Sequence, residues 1–321
     1  MAVEVVAPGL ASSVQDRGRA GFYDVGIPPS GAVDQYSAGV ANLLVGNDPG
    51  AAVIEAAYMA PHLRFSEAAV VAVTGARMTV SLNGEPVPQW ESFPVGAGDA
   101  MTFGFLEAGA RVYIAVAGGI DVPAVLGSRS TYTLGSFGGF EGRVLQAGDV
   151  LAIGRGDGTP GRSVPEELRP ALEREVDLRV VLGLYDYRLT DKGLDTLLET
   201  TWSLTPVADR IGFRYTGGIL EWKEREQPFG AGSDLSNIVD AGYPVGSIQV
   251  PGGIEPIILH RDAVSGGGYA MVATVISADL DLVGQSSPGT KTRFRPVTLD
   301  EALTARHEAA ARWSRVREGL S

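Results

Sequence analysis

The stretch 70–84, VVAVTGARMTVSLNG, indicates the fold class of the chain. It contains two short runs, VVAVTGA (70–76) and MTVSLNG (78–84), which are rich in Val and Thr and end at turn residues. Runs of this kind are typical of β-strands. We therefore predict one strand in each run.

Similar runs recur along the whole chain, at RVYIAVAGG (111–119), VLAIG (150–154), LRVVLG (178–183) and MVATVIS (271–277). Their spacing favours an antiparallel, barrel-like architecture over regularly alternating βα units. The sequence therefore predicts a mainly β protein with a few helices.

A short repeat accompanies these strands. VGAGDAMTFG (95–104) and LQAGDVLAIG (145–154) share an AGD turn followed by an alternating strand, and SPGTKTRF (287–294) is a looser third copy. Gly-Asp supplies a tight turn, and alternation supplies a half-buried strand. We interpret the repeat as a recurrent hairpin rather than a binding element.

The segment VGIPPSGAVD (25–34) leads into a predicted helix over 31–45. Two prolines fix the approach, Ser30 is the candidate N-cap, and Gly46 is a plausible stop. The corner is either a plain turn or a rigid loop that presents backbone N–H groups and the Ser30 hydroxyl to a ligand.

Two further helices are predicted. TDKGLDTLLETTW (190–202) has helical character, and the chain closes with a helix over 298–320. Thr298 and Glu301 form a capping box in the last helix, whose predicted inward stripe is Leu303, Ala310, Trp313 and Val316. His307 is expected on its solvated surface.

The polar stretch 155–177, rich in Gly and Pro, is the predicted linker between two strand-rich halves. We place the N-terminal domain at 1–160 and the C-terminal domain at 176–321. A chain of 321 residues is long enough for two cores.

Composition excludes several function classes. The net charge is −12, which argues against nucleic acid or an anionic membrane as the main partner. Cysteine is absent, so thiol nucleophiles, disulfides and thiolate metal sites are impossible. The three histidines are far apart in sequence, and no metal site is expected. Without a signal peptide or a long apolar run, we expect a cytoplasmic protein.

Candidate chemistry lies in three glycine-rich clusters, since no P-loop, GxSxG, HExxH or EF-hand pattern occurs. In 12–22, arginines beside a carboxylate form either a structural ion pair or a fork for a carboxylate or urea-like group. In 117–143, paired glycines provide either N–H donors for an oxyanion or barrel corners. In 258–280, His260, Arg261 and Asp262 precede a flexible loop at 265–269.

Ordered motifs across almost the whole chain resemble one family. They are SSVQDRGRAGFYDVGIPPSGAVDQYSAGVANLLVGN (12–47), AGGIDVPAVLGSRSTY (117–132) and the series VADRIGFR, VGSIQVPGGIEPIIL, GGY and TVISADL within 207–280. The chain is similar to the biotin-dependent carboxyltransferase, or allophanate hydrolase subunit 2, family. That family includes the C subunit of 5-oxoprolinase, the anti-inhibitor of a sporulation kinase and half of the urea carboxylase carboxyltransferase domain.

The resemblance implies two tandem cyclophilin-like β-barrel domains and a partner, a subunit 1 homologue that corresponds to the B subunit of 5-oxoprolinase. It implies an enzyme subunit, an amide C–N hydrolase or a carboxyltransferase, that acts with its partner on a small amide, lactam or urea-derived substrate in a shared cleft. No cofactor is expected to be bound covalently, and ATP or carboxybiotin would act through the complex. The alternative is a regulatory protein that sequesters a kinase-inhibitory subunit 1 homologue.

The resemblance also implies site residues. Arg129, Asp262 and Tyr269 are the catalytic candidates. The substrate-binding candidates are Gln15, Asp16, Arg19, Ser30, Gly31, Asp34, Asp209, Arg210, Gln249, Gly267 and Gly268.

One motif departs from the oxoprolinase pattern. Where those members typically have DRQTTGGYPK, this chain has DAVSGGGYAM, so that Ala263 replaces an expected Arg and Met271 an expected Lys. The loss of these two basic residues argues against 5-oxoproline as the substrate. The motif FYDVGIPPSG, in contrast, is nearer the urea carboxylase version.

Overall fold

The computed structural model describes residues 1–320 and contains, within them, eighteen strands and four α-helices. The mainly β class is confirmed. The chain divides into two compact units: unit 1 comprises Met1–Ala20, Ser30–Leu172 and the residues from Ala311 onward, and unit 2 comprises Gly21–Pro29 and Glu173–Ala310.

Unit 1 is built on one curled antiparallel sheet with strand order β2-β3-β8-β4-β1-β9, to which β5 adds by pairing with β6, β7 and β8. The strands are β1 (Ala2–Ala7), β2 (Ala11–Gln15), β3 (Val53–Ala57), β4 (His62–Phe65), β5 (Ala69–Leu82), β6 (Glu85–Val87), β7 (Ser92–Val95), β8 (Ala100–Val116) and β9 (Val150–Ala152). Helix α1 (Gln35–Leu44) packs on β5 and β8. One buried apolar cluster is formed mainly by side chains of the sheet strands, and a second includes the buried side chains of α1.

Unit 2 contains a closed seven-stranded barrel, with strand order β10-β17-β14-β15-β12-β11-β18, and a separate two-stranded sheet of β13 and β16. Its strands are β10 (Glu175–Leu182), β11 (Trp202–Ala208), β12 (Gly212–Thr216), β13 (Asn237–Gly242), β14 (Ser247–Gln249), β15 (Ile257–Leu259), β16 (Gly266–Tyr269), β17 (Met271–Val275) and β18 (Lys291–Pro296). The helices are α2 (Asp191–Glu199), α3 (Leu280–Gln285) and the first part of α4 (Leu299–Gly319).

The two runs at 70–84 form one strand, β5, rather than two. The predicted break falls at a bulge, where the register against β8 shifts between Gly75 and Arg77 and again around Met78. Gln89 binds the backbone groups that the bulge leaves free, since its side chain accepts from Met78 N (3.1 Å) and donates to Ala76 O (2.9 Å). The strand therefore continues through a position where local sequence indicates a turn.

The AGD repeat is a recurrent turn, as predicted, but it does not form the predicted hairpins. The strands that follow the three turns, β8, β9 and β18, pair with strands other than the one before the turn. Gly98 and Gly148 both have φ near +90°, and the following aspartate accepts a hydrogen bond from the backbone N–H three residues earlier in each copy. In the third copy Gly289 has φ 89° and Thr290 Oγ1 takes the place of the carboxylate, accepting from Ser287 N at 3.2 Å. A left-handed glycine followed by an acceptor side chain thus defines all three turns.

Helix boundaries differ from the predictions at several positions. Asp34, not Ser30, is the N-cap of α1, because its carboxylate accepts from Ser37 N at 2.8 Å. Gly46, with φ 79°, follows the end of this helix as expected. Helix α2 is three residues shorter at its C-terminal end than predicted, and Thr190 caps it.

The capping box of α4 is confirmed, since Thr298 N and Oγ1 both donate to Glu301 and Glu301 N donates back to Thr298 Oγ1. The predicted stripe is only partly buried: Val316 is buried, whereas Leu303 and Ala310 are exposed. The two ends of α4 belong to different units, so one stripe does not run the whole helix. His307 is exposed, as expected.

The segment 265–269, for which the sequence favours a flexible loop, includes a strand. This strand, β16, pairs with β13 through Asn237↔Tyr269 and Gly242↔Gly266. The prediction is wrong here because glycine has a low strand propensity, so that local sequence indicates a loop. Hydrogen bonds between the Tyr243 phenol and the backbone of residues 267 and 269 hold the segment as a strand.

Candidate functional site

The Asp16 carboxylate is the centre of a hydrogen-bonded cluster in unit 1. Its Oδ1 accepts from Gly18 N (2.7 Å), Ser128 Oγ (2.7 Å) and Ser130 Oγ, and its Oδ2 accepts from Arg129 N at 2.6 Å. Both oxygens are therefore occupied by donors from within the unit. In this arrangement Asp16 ties the end of β2 to the segment 128–130.

Arg19 and Gln15 hold the same segment. Arg19 is buried, donates to Ser130 O and lies 4.9 Å from the ring centroid of Phe137. Gln15 is also buried, and its Nε2 donates to Thr131 O at 3.2 Å. The polar residues of 12–22 that the sequence singles out are thus brought together around 128–131.

The Arg129 side chain lies outside this cluster. Its guanidinium forms an ion pair with Asp121 (3.1 Å) and donates to Ile120 O (3.4 Å), and 40% of the side chain is exposed. A solvent-exposed ion pair of this kind contributes little to stability. The guanidinium is therefore accessible to an oxygen-bearing ligand.

The corner at 30–34 is strained and tightly packed. Ser30 is fully buried with φ 51°, which is uncommon for a residue with a side chain, and its hydroxyl has no hydrogen-bond partner among residues 1–320. A Cβ on Gly31 (φ 88°) would lie 2.7 Å from the Arg17 backbone, so no other residue fits. Asp34 caps α1 from the end of this corner.

A buried acid outside the predicted candidates holds the corner in place. Glu55 Oε2 accepts from Val33 N (2.7 Å) and from Tyr113 Oη (2.9 Å), and Asp34 N donates to Tyr113 Oη at 2.8 Å. Burial, with the Glu55 charge as a second cause, raises the pKa of Tyr113 well above its usual range, so the phenol stays protonated. An isolated acid inside an apolar strand, VIEAA, is the signal that the sequence offers for it.

In unit 2, Asp262 is paired with Arg210. The Asp262 carboxylate is 3% exposed and accepts from Arg210 Nε (2.7 Å) and Nη2 (3.2 Å), a bidentate pair. Asp209 Oδ1 accepts from Ile211 N and Gly212 N and so fixes the turn before β12. These acids are engaged by neighbours within the unit.

Tyr243 organises the glycine-rich strand β16. Its buried phenol donates toward Gly267 O and Tyr269 O (2.6 Å) and accepts from Tyr269 N (2.8 Å). A Cβ on Gly267 would lie 3.1 Å from the Tyr243 ring, and one on Gly268 would lie 3.3 Å from Ile238 O. Glycine at these positions permits the close approach, and the Tyr269 side chain remains 42% exposed.

The residues that depart from the oxoprolinase pattern are buried. Ala263 and Met271 are 1% and 4% exposed, and both belong to one apolar cluster with Tyr243 and Leu259. An unpaired Arg or Lys would be costly in such surroundings. Gln249 is also buried, in β14, which pairs with β17.

The fourteen candidates thus fall into two sets. Unit 1 contains Gln15, Asp16, Arg19, Ser30, Gly31, Asp34 and Arg129, and unit 2 contains Asp209, Arg210, Gln249, Asp262, Gly267, Gly268 and Tyr269. Among them, Asp209, the Arg129 side chain and Tyr269 are substantially exposed. A guanidinium binds oxyanions, and a phenol donates one hydrogen bond or exchanges one proton.

Two further findings concern residues 1–320. No group of three or more His, Asp or Glu side chains in this part of the chain is arranged to hold a metal ion. No helix within it combines the length and the apolar character needed to cross a membrane.

A closed barrel, a curled β-sheet and polar clusters at glycine-rich turns define a two-unit, mainly β protein of barrel-like domains. The chain belongs to the carboxyltransferase family: the family model "carboxyltransferase domain, subdomain A and B" matches residues 25–296. The resemblance inferred from the sequence motifs is thereby confirmed.

The chain spans nearly all of some relatives and a small part of others. The chain is 34% identical to the C subunit of 5-oxoprolinase from Escherichia coli, over 95% of this chain and 94% of that protein. It is also 34% identical to urea amidolyase of Saccharomyces cerevisiae over 94% of this chain, but spans only 17% of that protein. The crystal structure of Kluyveromyces lactis urea carboxylase superposes with a TM-score of 0.93 and 34% identity, covering 99% of this chain and 29% of that one.

Proposed function

We propose that this chain is subunit 2 of a two-subunit enzyme and corresponds there to the C subunit of 5-oxoprolinase. It acts with a subunit 1 homologue, the counterpart of the 5-oxoprolinase B subunit, on a small amide, lactam or urea-derived substrate. The observation that carries the proposal is the match with the 5-oxoprolinase C subunit, which extends over nearly the full length of both chains. That relative is named as a C subunit, which supports action together with further subunits.

The chemistry of the accessible groups supports the proposal. Cleavage or carboxylation of an amide or urea nitrogen develops negative charge on an adjacent oxygen, and preorganised donors stabilise that charge. The exposed Arg129 guanidinium in unit 1 is such a donor. It is also suited to the carboxylate oxygens of carboxybiotin or the phosphates of ATP, either of which would be supplied through the complex.

Assembly with the partner is the first test. Co-expression with a subunit 1 homologue is expected to give one co-eluting species in size-exclusion chromatography, because obligate interfaces of this kind bury about 2,000 Å² or more. The purified complex is then assayed with 5-oxoproline and ATP, and with urea and a carboxybiotin donor. Two separate peaks at micromolar concentration contradict the proposal, and a stable complex inactive on every substrate favours the regulatory alternative.

Arg129→Ala tests the site within that complex. Loss of one charge-assisted contact to the developing oxyanion is expected to lower kcat/KM about 100- to 1,000-fold. Thermal stability should remain near that of the wild type, since the side chain is exposed and its ion pair lies at the surface.

Asp121→Asn is the matched control, because it removes the ion pair but keeps the guanidinium. It is expected to retain activity. An equal loss of activity in Asp121→Asn and Arg129→Ala would assign Arg129 to the ion pair rather than to a ligand.

A further inference from the structure

Three side chains of unit 2 carry buried N–H groups that no acceptor in residues 1–320 receives. The groups are Arg188 Nε and Nη1, Arg225 Nε and Trp222 Nε1. Only 3% of Arg188 is exposed. Buried polar groups in folded proteins nearly always have a partner, so four unpaired donors in adjoining side chains require an explanation.

Backbone carbonyls bring the two guanidiniums together. Arg188 Nη2 donates to Leu235 O (2.6 Å) and Asn237 O (3.0 Å), and Arg225 Nη2 donates to the same Asn237 O at 3.1 Å. The Trp222 ring lies beside Arg188, with its centroid 5.8 Å from the Arg188 guanidinium carbon. The isolated bridge Leu189↔Trp222 fixes the tryptophan next to Arg188 in space.

The local charge is not balanced within the described chain. Within residues 1–320 no carboxylate forms an ion pair with Arg188 or Arg225. Asp234, in the adjacent segment, accepts through Oδ1 from Ser236 N and Oγ. Burial and, second, the Arg225 charge lower the pKa of Arg188. Cation–π contacts with the rings of Tyr185 and Trp222 offset only part of the cost of burying the Arg188 charge. Both ring centroids lie 5.8 Å from the guanidinium carbon, near the outer limit of about 6 Å for a cation–π contact.

We propose that Arg188, Arg225 and Trp222 form a binding site for a small oxyanion, that is, a carboxylate or phosphate group. All four unpaired groups are donors, and an oxyanion offers only acceptors, so the chemistry is complementary. Bound there, the anion would neutralise two like charges that share one carbonyl. The site is independent of the enzymatic function proposed above, because it requires only that an oxyanion bind this chain.

Access to the site requires a movement of the segment that contains Arg225. The four N–H groups are shielded from solvent, and residues 223–234 contain no helix or strand. Phe229 in this segment is fully exposed. A segment held by few buried contacts opens at low free-energy cost.

The test is thermal unfolding of the whole chain titrated with sodium phosphate or with sodium acetate, at an ionic strength held constant with NaCl. The wild type is expected to show a saturable rise in Tm with at least one anion. Arg225→Gln and Trp222→Phe, which keeps an aromatic ring but removes the N–H, are expected to weaken the apparent affinity about ten-fold or more. Arg188→Gln is expected to weaken the apparent affinity in the same way. If this variant does not fold, Arg225→Gln and Trp222→Phe are sufficient for the test.

Arg214→Gln is the control, because Arg214 also has a buried, unpaired Nε among the described residues but its guanidinium is paired with Glu255 at 2.8 Å. This variant is expected to keep the wild-type response. A response to phosphate alone assigns the site to phosphate groups, and a response to acetate alone assigns it to carboxylates. No saturable rise with either anion, or an unchanged rise in Arg225→Gln and Trp222→Phe, overturns the proposal.

Discussion

The Asp16 cluster of unit 1 and the Arg188 cluster of unit 2 are opposite arrangements of buried polar atoms. Around Asp16, both carboxylate oxygens receive donors from the 16–18 and 128–130 segments. Around Arg188, four N–H groups of three side chains receive no acceptor from residues 1–320. The Asp16 cluster is complete within unit 1 and positions the backbone, whereas the Arg188 cluster, on our proposal, is completed by a bound oxyanion.

The largest expected effect on stability concerns Asp16. Asp16→Ala removes acceptors from Gly18 N, Arg129 N and two serine hydroxyls, and is expected to lower the free energy of unfolding by about 3 kcal/mol. Urea denaturation measures this loss. Asp121→Ala, a surface carboxylate with a single ion pair, should change it by less than about 1 kcal/mol. An equal loss of unfolding free energy in Asp16→Ala and Asp121→Ala would show that the buried Asp16 cluster stabilises the fold no more than a surface ion pair does.

In unit 2, the uncharged side chain of Tyr243 holds a backbone segment in place, as Asp16 does in unit 1. Tyr243→Phe keeps the ring but removes the phenol that binds Gly267 O and Tyr269 N, and is expected to cost about 1–2 kcal/mol. Hydrogen exchange should accelerate at the amides of 266–269, because β16 loses its clamp. Tyr269→Phe, at an exposed side chain, is the control and should leave both measurements unchanged. Unaltered exchange in Tyr243→Phe would show that pairing with β13 alone holds the strand.

The smallest effect is a pH dependence at the second AGD turn. Two hydrogen bonds from Arg143, of 2.7 and 2.9 Å, lower the pKa of Asp149. A carboxylate whose pKa is lower in the folded state stabilises the fold above its unfolded pKa of about 3.9, and this contribution is lost as the pH falls through the folded value. Asp149→Asn should therefore cost about 1 kcal/mol at pH 7 and progressively less at acid pH. A difference independent of pH would contradict the assignment.

Local pattern predicts several strands, among them β8, β10 and β17, together with the three AGD-type turns and the α4 capping box, since each depends on residues close in sequence. It fails where distant residues decide the outcome. The strand β16 exists because the Tyr243 phenol binds a run of glycines that local propensity assigns to a loop. The stripe of α4 is only partly buried because its ends belong to different units.

The same limit applies to the candidate sites. The polar residues of 12–22 can be singled out by their crowding, but their engagement with 128–131 depends on tertiary structure. Arg188 and Arg225 are 37 positions apart in the sequence, within no recognisable motif, and only the fold brings them to the Asn237 carbonyl. An unpaired donor has no signature in sequence, because it is defined by the absence of neighbours in space.

The contrast between complete and incomplete clusters is tested most directly by measuring Tm for Asp16→Ala and Arg225→Gln side by side, with and without a saturating oxyanion. We expect Asp16→Ala to be destabilised equally in both conditions. Arg225→Gln should match or exceed the wild type without the anion, because one of two unneutralised charges is gone, and should fall below it when the anion is present. The account is contradicted if Arg225→Gln loses the same stability in both conditions, since Arg225 would then serve only to hold the Asn237 carbonyl.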